Sequence, residues 1–346
     1  MLVIRPITSA DFTALKQIAI ESGHGFTSLP MHDGRLTQKI AHAEKSFNAN
    51  VTTPGDQGYL FVLEDTSTGE IVGTTGIEAA VGLQTPLYHF QQNTVIHHSA
   101  ELNVMNQLTT LTLCNDYTGS SEICTLFLRE SYRRNHAGRF LSKVRFLFMA
   151  EHPQRFASKV IAEMRGAADK DGQPPFWNWL QKLFLTIDFP KADQLIGVGK
   201  KAFIAELMPR HPIYVGLLPE AAQQVIGQVH ENTKPALRML EKEGFSHRGY
   251  IDLFDAGPTV EAPLSQIKSV AASRKVPVKV AESEQQAHGE YTLAVANTAV
   301  QDFRASFGKA ARFDEQSQTL IISPALAAVL QLSDGAMARF INLDQA

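Results

Sequence analysis

Between residues 129 and 145 the chain carries six bases, Arg129, Arg133, Arg134, Arg139, Lys143 and Arg145, against one acid, Glu130. Cations crowded into so short a stretch suit a small polyanion such as a pyrophosphate. A second residue able to do chemistry stands far downstream, His230 in Gly227-Gln-Val-His. Its imidazole titrates near neutral pH and can give or take a proton. From its setting alone, between two helical stretches, it reads first as a capping or surface histidine, one of 12 in the chain.

The elements around the bases favour an anion site. Ile123, Cys124, Leu126, Phe127 and Leu128 form a nearly continuous apolar run, as in a strand covered on both faces. Arg129 to Ala137 is a polar turn. From Gly138 onward Phe140, Leu141, Val144, Leu147 and Phe148 recur at helical spacing. A strand, a basic turn and a helix aim the free N–H groups of a helix start at a phosphate. The alternative is a solvated helix face beside an ordinary strand.

Composition narrows the partners. The 346 residues hold 32 Lys+Arg and 35 Asp+Glu, a formal net charge of -3. A local basic pocket on a mildly acidic protein fits a small ligand better than a nucleic acid, which needs a wide basic face. With 44% hydrophobic and 19% charged residues the chain has an ordinary globular composition. No apolar run approaches the roughly 18–20 residues of a membrane span, and the N-terminus lacks a secretory apolar segment. Two cysteines, Cys114 and Cys124, make no disulfide framework and read as buried thiols. The expectation is a cytoplasmic protein.

Taken in order, residues 1–20 read as strand then helix, and a Gly-rich loop at 22–30 leads to a helix over 33–48. A hairpin turns around Asp65–Gly69, and strands at 88–97 and 108–114 precede the one at 122–128. A helical insertion at about 150–210 contains helices over 156–164, 177–184 and 203–208. A strand at 213–218, a helix opened by Pro219, a helix from Asn232 to a Gly244 cap and a strand at 250–254 follow. Residues 255–263 read as a linker. The fold class expected is α/β with an α+β mixed sheet. Residues 1–257 are expected to form the larger domain, and residues 258–346 a small, β-rich, barrel-like C-terminal domain.

Arg133-x-x-His136-x-Gly138 resembles the Arg/Gln-x-x-Gly-x-Gly/Ala pyrophosphate loop of the GNAT acyltransferases, which bind acyl-coenzyme A. It departs from that loop where His136 replaces the first glycine, and a Cβ there narrows the backbone's approach to the ligand. Longer strings resemble the arginine N-succinyltransferase family. They are Phe203 to Tyr214, Val225-Ile-Gly-Gln-Val-His230, Phe254 to Glu261, Glu122 to Leu128, Gly25 to Pro30 and Asp302-Phe-Arg-Ala305. The resemblance covers essentially the whole chain. It implies transfer of succinyl from succinyl-CoA to the α-amino group of L-arginine, the first step of arginine catabolism by the succinyltransferase route. No metal or prosthetic group is implied.

That resemblance also assigns roles. His230 is implied to be the catalytic acid/base, described as a proton donor. Leu126 and Leu128 are implied to contact succinyl-CoA, through backbone groups because leucine offers no polar side-chain atom. Arg133, Arg134, His136, Ala137 and Gly138 are carried over as the phosphate loop. Asp33, Glu101, Asp116, Arg35 and Lys39 are available to hold arginine's guanidinium and the two carboxylates, and the sequence does not choose among them. Gly197-Val-Gly-Lys-Lys-Ala202 imitates a dinucleotide fingerprint without its βαβ unit, His97-His98 lacks partners at metal-ligand spacing, and neither Ser120-Ser121 nor Cys124 has a nucleophile-elbow context. Direct transfer is therefore preferred. Another acyl-CoA, another amino acid such as ornithine, or a non-catalytic acyl-CoA or arginine sensor are the alternatives. Either a homo- or a hetero-oligomer is compatible with the sequence.

Overall fold

Among the described residues, strand β1 (Leu2–Pro6) lies inside a sixteen-stranded sheet rather than at its edge. The computed structural model describes residues 1–23, 28–169, 172–185, 187, 191, 195 and 206–344. After β1 come helices α1 (Phe12–Ser22) and α2 (Asp33–Asn48), then β2 (Gly58–Asp65), β3 (Glu70–Glu78), β4 (His89–Ser99), β5 (Val104–Cys114) and β6 (Ser121–Leu128). Helix α3 (Ala137–Glu151) and β7 (Lys159–Glu163) follow, then α4 (Pro175–Leu180), β8 (Ile213–Tyr214), α5 (Glu220–Val225), α6 (Lys234–Glu243), β9 (Ser246–Ile251) and β10 (Pro258–Pro263). The C-terminal part holds α7 (Lys268–Ala272), β11 (Arg274–Val280), α8 (Glu284–Ala287), β12 (Leu293–Asn297), β13 (Ala305–Gly308), β14 (Ala311–Asp314), β15 (Thr319–Ile322), α9 (Pro324–Leu330) and β16 (Met337–Asn342).

The strand order is β14-β15-β11-β16-β12-β13-β1-β2-β3-β6-β7-β10-β9-β4-β5-β8. Among the described residues its neighbours are antiparallel except β6–β7 and β11–β15. The fold is mixed α/β, as expected, and the C-terminal part is rich in strands. The apolar face read on α3 is buried: Phe140, Leu141, Val144, Leu147 and Phe148 are at most 1% exposed. Phe148 sits at the centre of a ring cluster, with Phe47, Tyr59, Phe61 and Phe303 centroids 5.0–6.1 Å away. Aromatic pairs at these spacings add to burial as the cement between helix and sheet.

Two expectations fail for the same physical reason. Residues 156–164 are not a helix: Lys159–Glu163 is a strand, and its Val160, Ile161 and Ala162 form an apolar run buried between two neighbours. The supposed linker at 255–263 contains β10, which pairs β7 on one side and β9 on the other. Prolines at the two ends of β10 signalled a linker, yet proline is tolerated at a strand's first residue and edge positions. The strand expected at 250–254 is earlier, at Ser246–Ile251, and the one at 213–218 shortens to Ile213–Tyr214 before a 3-10 turn. Gly197 to Ala202, residues 203–205 of the expected helix over 203–208, and residues 25–27 lie outside the described residues. No helix among the described residues is long and apolar enough to cross a membrane.

Candidate functional site

The parallel pairing of β6 with β7 is brief, Ser121 with Val160 and Glu122 with Ile161. Beyond it β6 continues to Leu128 against β3 alone, and β7 continues to Glu163 against β10. The two strands therefore part toward their carboxyl ends. Open α/β sheets bind ligands at that edge, where neighbouring strands diverge.

The β6 side of the gap carries a bulge. Thr74 pairs with Phe127 and Gly76 with Cys124, so Thr75 alone faces both Thr125 and Leu126. Thr125 takes a left-handed conformation (φ 55), and the Thr74 hydroxyl donates to its carbonyl at 3.0 Å. The bulge turns the backbone at Leu126 out of the regular ladder. The Leu126 side chain packs on the main core, and Leu128 is buried there as well, so any ligand contact at Leu126 falls to its backbone.

The turn after β6 is tied down on both sides. Arg129 N–H donates to Val72 O at 2.9 Å, and the Arg133 guanidinium donates to Leu128 O at 2.9 Å. Asn135 (φ 50) and His136 (φ 66) are both left-handed, and His136 is the N-cap of α3. This resolves the departure at the first glycine. Asn and His are the side chains that enter this region most readily after glycine, so the backbone geometry a glycine would supply is kept. The first α3 bond runs from Phe140 N–H to His136 O at 2.8 Å. The Gly138 and Arg139 amides in the first turn therefore have no acceptor within the helix. His136 Nε2 stands 3.6 Å from Asp344 Oδ1, and Arg139 donates to Leu343 O, so the C-terminal segment is seated against the loop.

The six bases do not form one pocket. Arg129 is paired with Glu21 and Glu70. Lys143 is buried on Glu243 at 2.6 Å. Arg145 is buried with its guanidinium on Ser142, and burial lowers its pKa to about 10. Arg133 and Arg134 remain exposed beside the α3 start. Helix periodicity carried the last bases to the inner face, which a count along the sequence does not see.

His230 stands on the β7 side. Its N–H donates to Arg165 O at 2.9 Å, two residues past the end of β7, and Val229 bridges Gly166. Its Nδ1 accepts the Asn232 N–H at 3.2 Å. The neutral ring therefore carries its proton on Nε2, pointing a donor away from the backbone. Partial burial and then the Arg165 cation hold its pKa below the ordinary value, against the carboxylates Glu231 and Asp255. Arg133 to Gly138 and His230 thus stand beyond the carboxyl ends of adjacent parallel strands.

Asp255 and Asp252 are not among the site candidates that the sequence offers. Asp255 Oδ2 accepts the Gly166 N–H at 2.7 Å and its Oδ1 the Gly257 N–H at 2.8 Å, clamping the segment that precedes His230. Asp252 Oδ1 accepts the amides of Phe254 and Asp255. Burial pushes both carboxyls upward; the Asp255 and Glu163 charges add to it at Asp252, which lies well above the ordinary range, whereas at Asp255 the Gly166 and Gly257 amides and a hydrogen bond with Asp252 oppose burial. The signal was Gly257, where a Cβ would lie 2.1 Å from Met164 O, a contact that requires glycine. The candidates for guanidinium and carboxylate recognition scatter: Lys39 pairs with Glu78, Asp33 with Lys16, and Asp116 accepts the Tyr250 hydroxyl.

The family model "Arginine N-succinyltransferase beta subunit" matches residues 2–269, and that for its C-terminal domain matches 274–342. Arginine N-succinyltransferases of Salmonella typhimurium and Salmonella newport are each 48% identical over 344 residues, 99% of this chain and 98% of theirs. The solved arginine/ornithine succinyltransferase subunit AI of Pseudomonas aeruginosa is 37% identical with a TM-score of 0.89, covering 99% of each chain.

Proposed function

Because the chain belongs to the arginine N-succinyltransferase family, we propose that it transfers succinyl from succinyl-CoA to the α-amino group of L-arginine. This yields N2-succinyl-L-arginine and CoA, the first step of arginine catabolism by the succinyltransferase route, in the cytoplasm. The single observation that carries this reading is the parting of β6 and β7 with the loop on one carboxyl end and His230 beside the other. An extended thioester laid into the gap meets the Leu126 and Leu128 backbone, and its pyrophosphate reaches Ala137 and Gly138 at the α3 start, flanked by Arg133, Arg134 and His136.

The chemistry is direct. The deprotonated α-amine attacks the thioester carbonyl, the tetrahedral oxyanion collapses, and the proton lost by the amine ends on the departing sulfur. The Nε2–H of His230 is a preorganised donor for charge gathering on that oxygen or sulfur. A cysteine acyl-enzyme is disfavoured, since burial pushes Cys124 up to about 12 and Cys114 up to about 11, leaving almost no thiolate. The Pseudomonas protein's description as an arginine/ornithine succinyltransferase supports ornithine as a second acceptor. The test is thiol release from succinyl-CoA with and without L-arginine. Arginine-dependent release is expected, and release no faster than hydrolysis overturns the reading. Exchanging acetyl-CoA or ornithine in the same assay fixes donor and acceptor.

A further inference from the structure

A cavity of about 890 Å³ opens between α3, α6, α7 and the C-terminal strands. Its lining carries more cations than carboxylates. Lys143 is neutralised by Glu243 at its floor, and Arg274 faces Glu315 at 3.4 Å. Arg139, Lys242, Lys268 and Arg312 also line it against one further carboxylate, Glu290, leaving an excess of positive charge. Lys242, Lys268 and Arg312 are exposed, and Tyr291, 47% exposed, offers a ring to the same space. Phosphate wants the first set of groups and a purine base the second.

Position decides the occupant. Arg139 lines the cavity and is the third residue of α3, about 1.5–3 Å along the axis from the amides proposed to hold the pyrophosphate. In CoA the 3′-phosphorylated adenosine is bonded directly to that pyrophosphate, so it must lodge within a few ångströms of this helix start. We propose that this cavity takes the 3′-phosphoadenosine end of the acyl-CoA. Lys242 of the catalytic part and Lys268 and Arg312 of the C-terminal part meet the 3′-phosphate, and Tyr291 faces the base. The inference rests on the acyl-CoA reading above. It gives the C-terminal strands a part in binding the donor.

Calorimetric titration with CoA and with 3′-dephospho-CoA tests this without turnover. The protein should bind CoA at least tenfold more tightly than 3′-dephospho-CoA. In Lys268→Ala and Arg312→Ala, both exposed positions, CoA should weaken toward the dephospho value while 3′-dephospho-CoA binding stays unchanged. Equal affinity of the parent protein for the two ligands, or a full difference surviving in both variants, overturns the site. The transferase reading fails separately, by absence of arginine-dependent thiol release, so the two failures are distinct.

Discussion

Replacing His230 tests the geometry most directly. Its Nδ1 is held by the Asn232 N–H at 3.2 Å, so the working form is the neutral ring with Nε2–H. Removing one preorganised donor aimed at developing charge costs about 10²–10³ in kcat, near 2.7–4 kcal/mol of barrier. His230→Ala should lose that much with little change in KM for either substrate, because the donor matters only as charge develops. His230→Gln, whose amide can still donate, should recover part of the loss. Protonation would set an Nδ1–H against the Asn232 N–H, so acid removes the working form. Burial and Arg165 hold the ring's pKa below the ordinary value, so activity should fall on an acid limb below about pH 6.5. Arg165→Gln removes the nearby cation and should move that limb upward, and His230→Gln should abolish it. The assay is thiol release followed with a thiol-reactive dye from pH 5 to 9. Unchanged turnover in His230→Ala, or the same fall in activity below pH 6.5 in His230→Gln as in the parent, refutes the argument.

Three further outcomes are expected. At His136 (φ 66), His136→Gly should keep the KM for succinyl-CoA, whereas His136→Val should cost about 1–2 kcal/mol of stability and raise that KM, read by urea unfolding and steady-state kinetics. Asp252→Asn keeps an acceptor for the Phe254 and Asp255 amides without the buried charge. The parent's raised carboxyl makes the folded state bind the extra proton, so parent stability declines by up to about 1.4 kcal/mol per pH unit as pH rises from the ordinary carboxyl range through the raised pKa. The variant should therefore be the more stable at pH 8.5, with the gap narrowing toward pH 5 in thermal melts. Glu243 accepts from Lys143 and from both Ser269 groups within 2.6–2.8 Å. Glu243→Ala should cost about 3–5 kcal/mol by leaving a buried ammonium unpaired, and Lys143→Met added to it should restore much of that loss.

The chain's local chemistry was largely readable. The strand-turn-helix at 122–148 needed only apolar spacing, and Gly244, left-handed at φ 102, ends α6 as its cap preference predicts. What escaped depended on partners far along the chain. Val160 to Ala162 look helical or extended according to what covers them, and only β10, a hundred residues later, makes them a strand. Lys143 and Arg145 count among the bases of one anion site until the helix rotates them inward. Asp255 looks like a linker residue until Gly166, 89 positions earlier, donates to it.

The position of β1 has a consequence for how the protein is made. Its flanks are β2 and β13, and the Ser306 hydroxyl reaches Leu2 O across 304 residues. A ribosome adding about 5–20 residues per second needs roughly 15 to 60 s to deliver that partner. For that interval the nascent chain holds the first strand with one edge open in the middle of its future sheet. The strand is five residues long and closes in Pro6, and short, proline-ended edges resist pairing with strangers. The brevity of β1 thus protects the newborn chain while it waits for its own C-terminus.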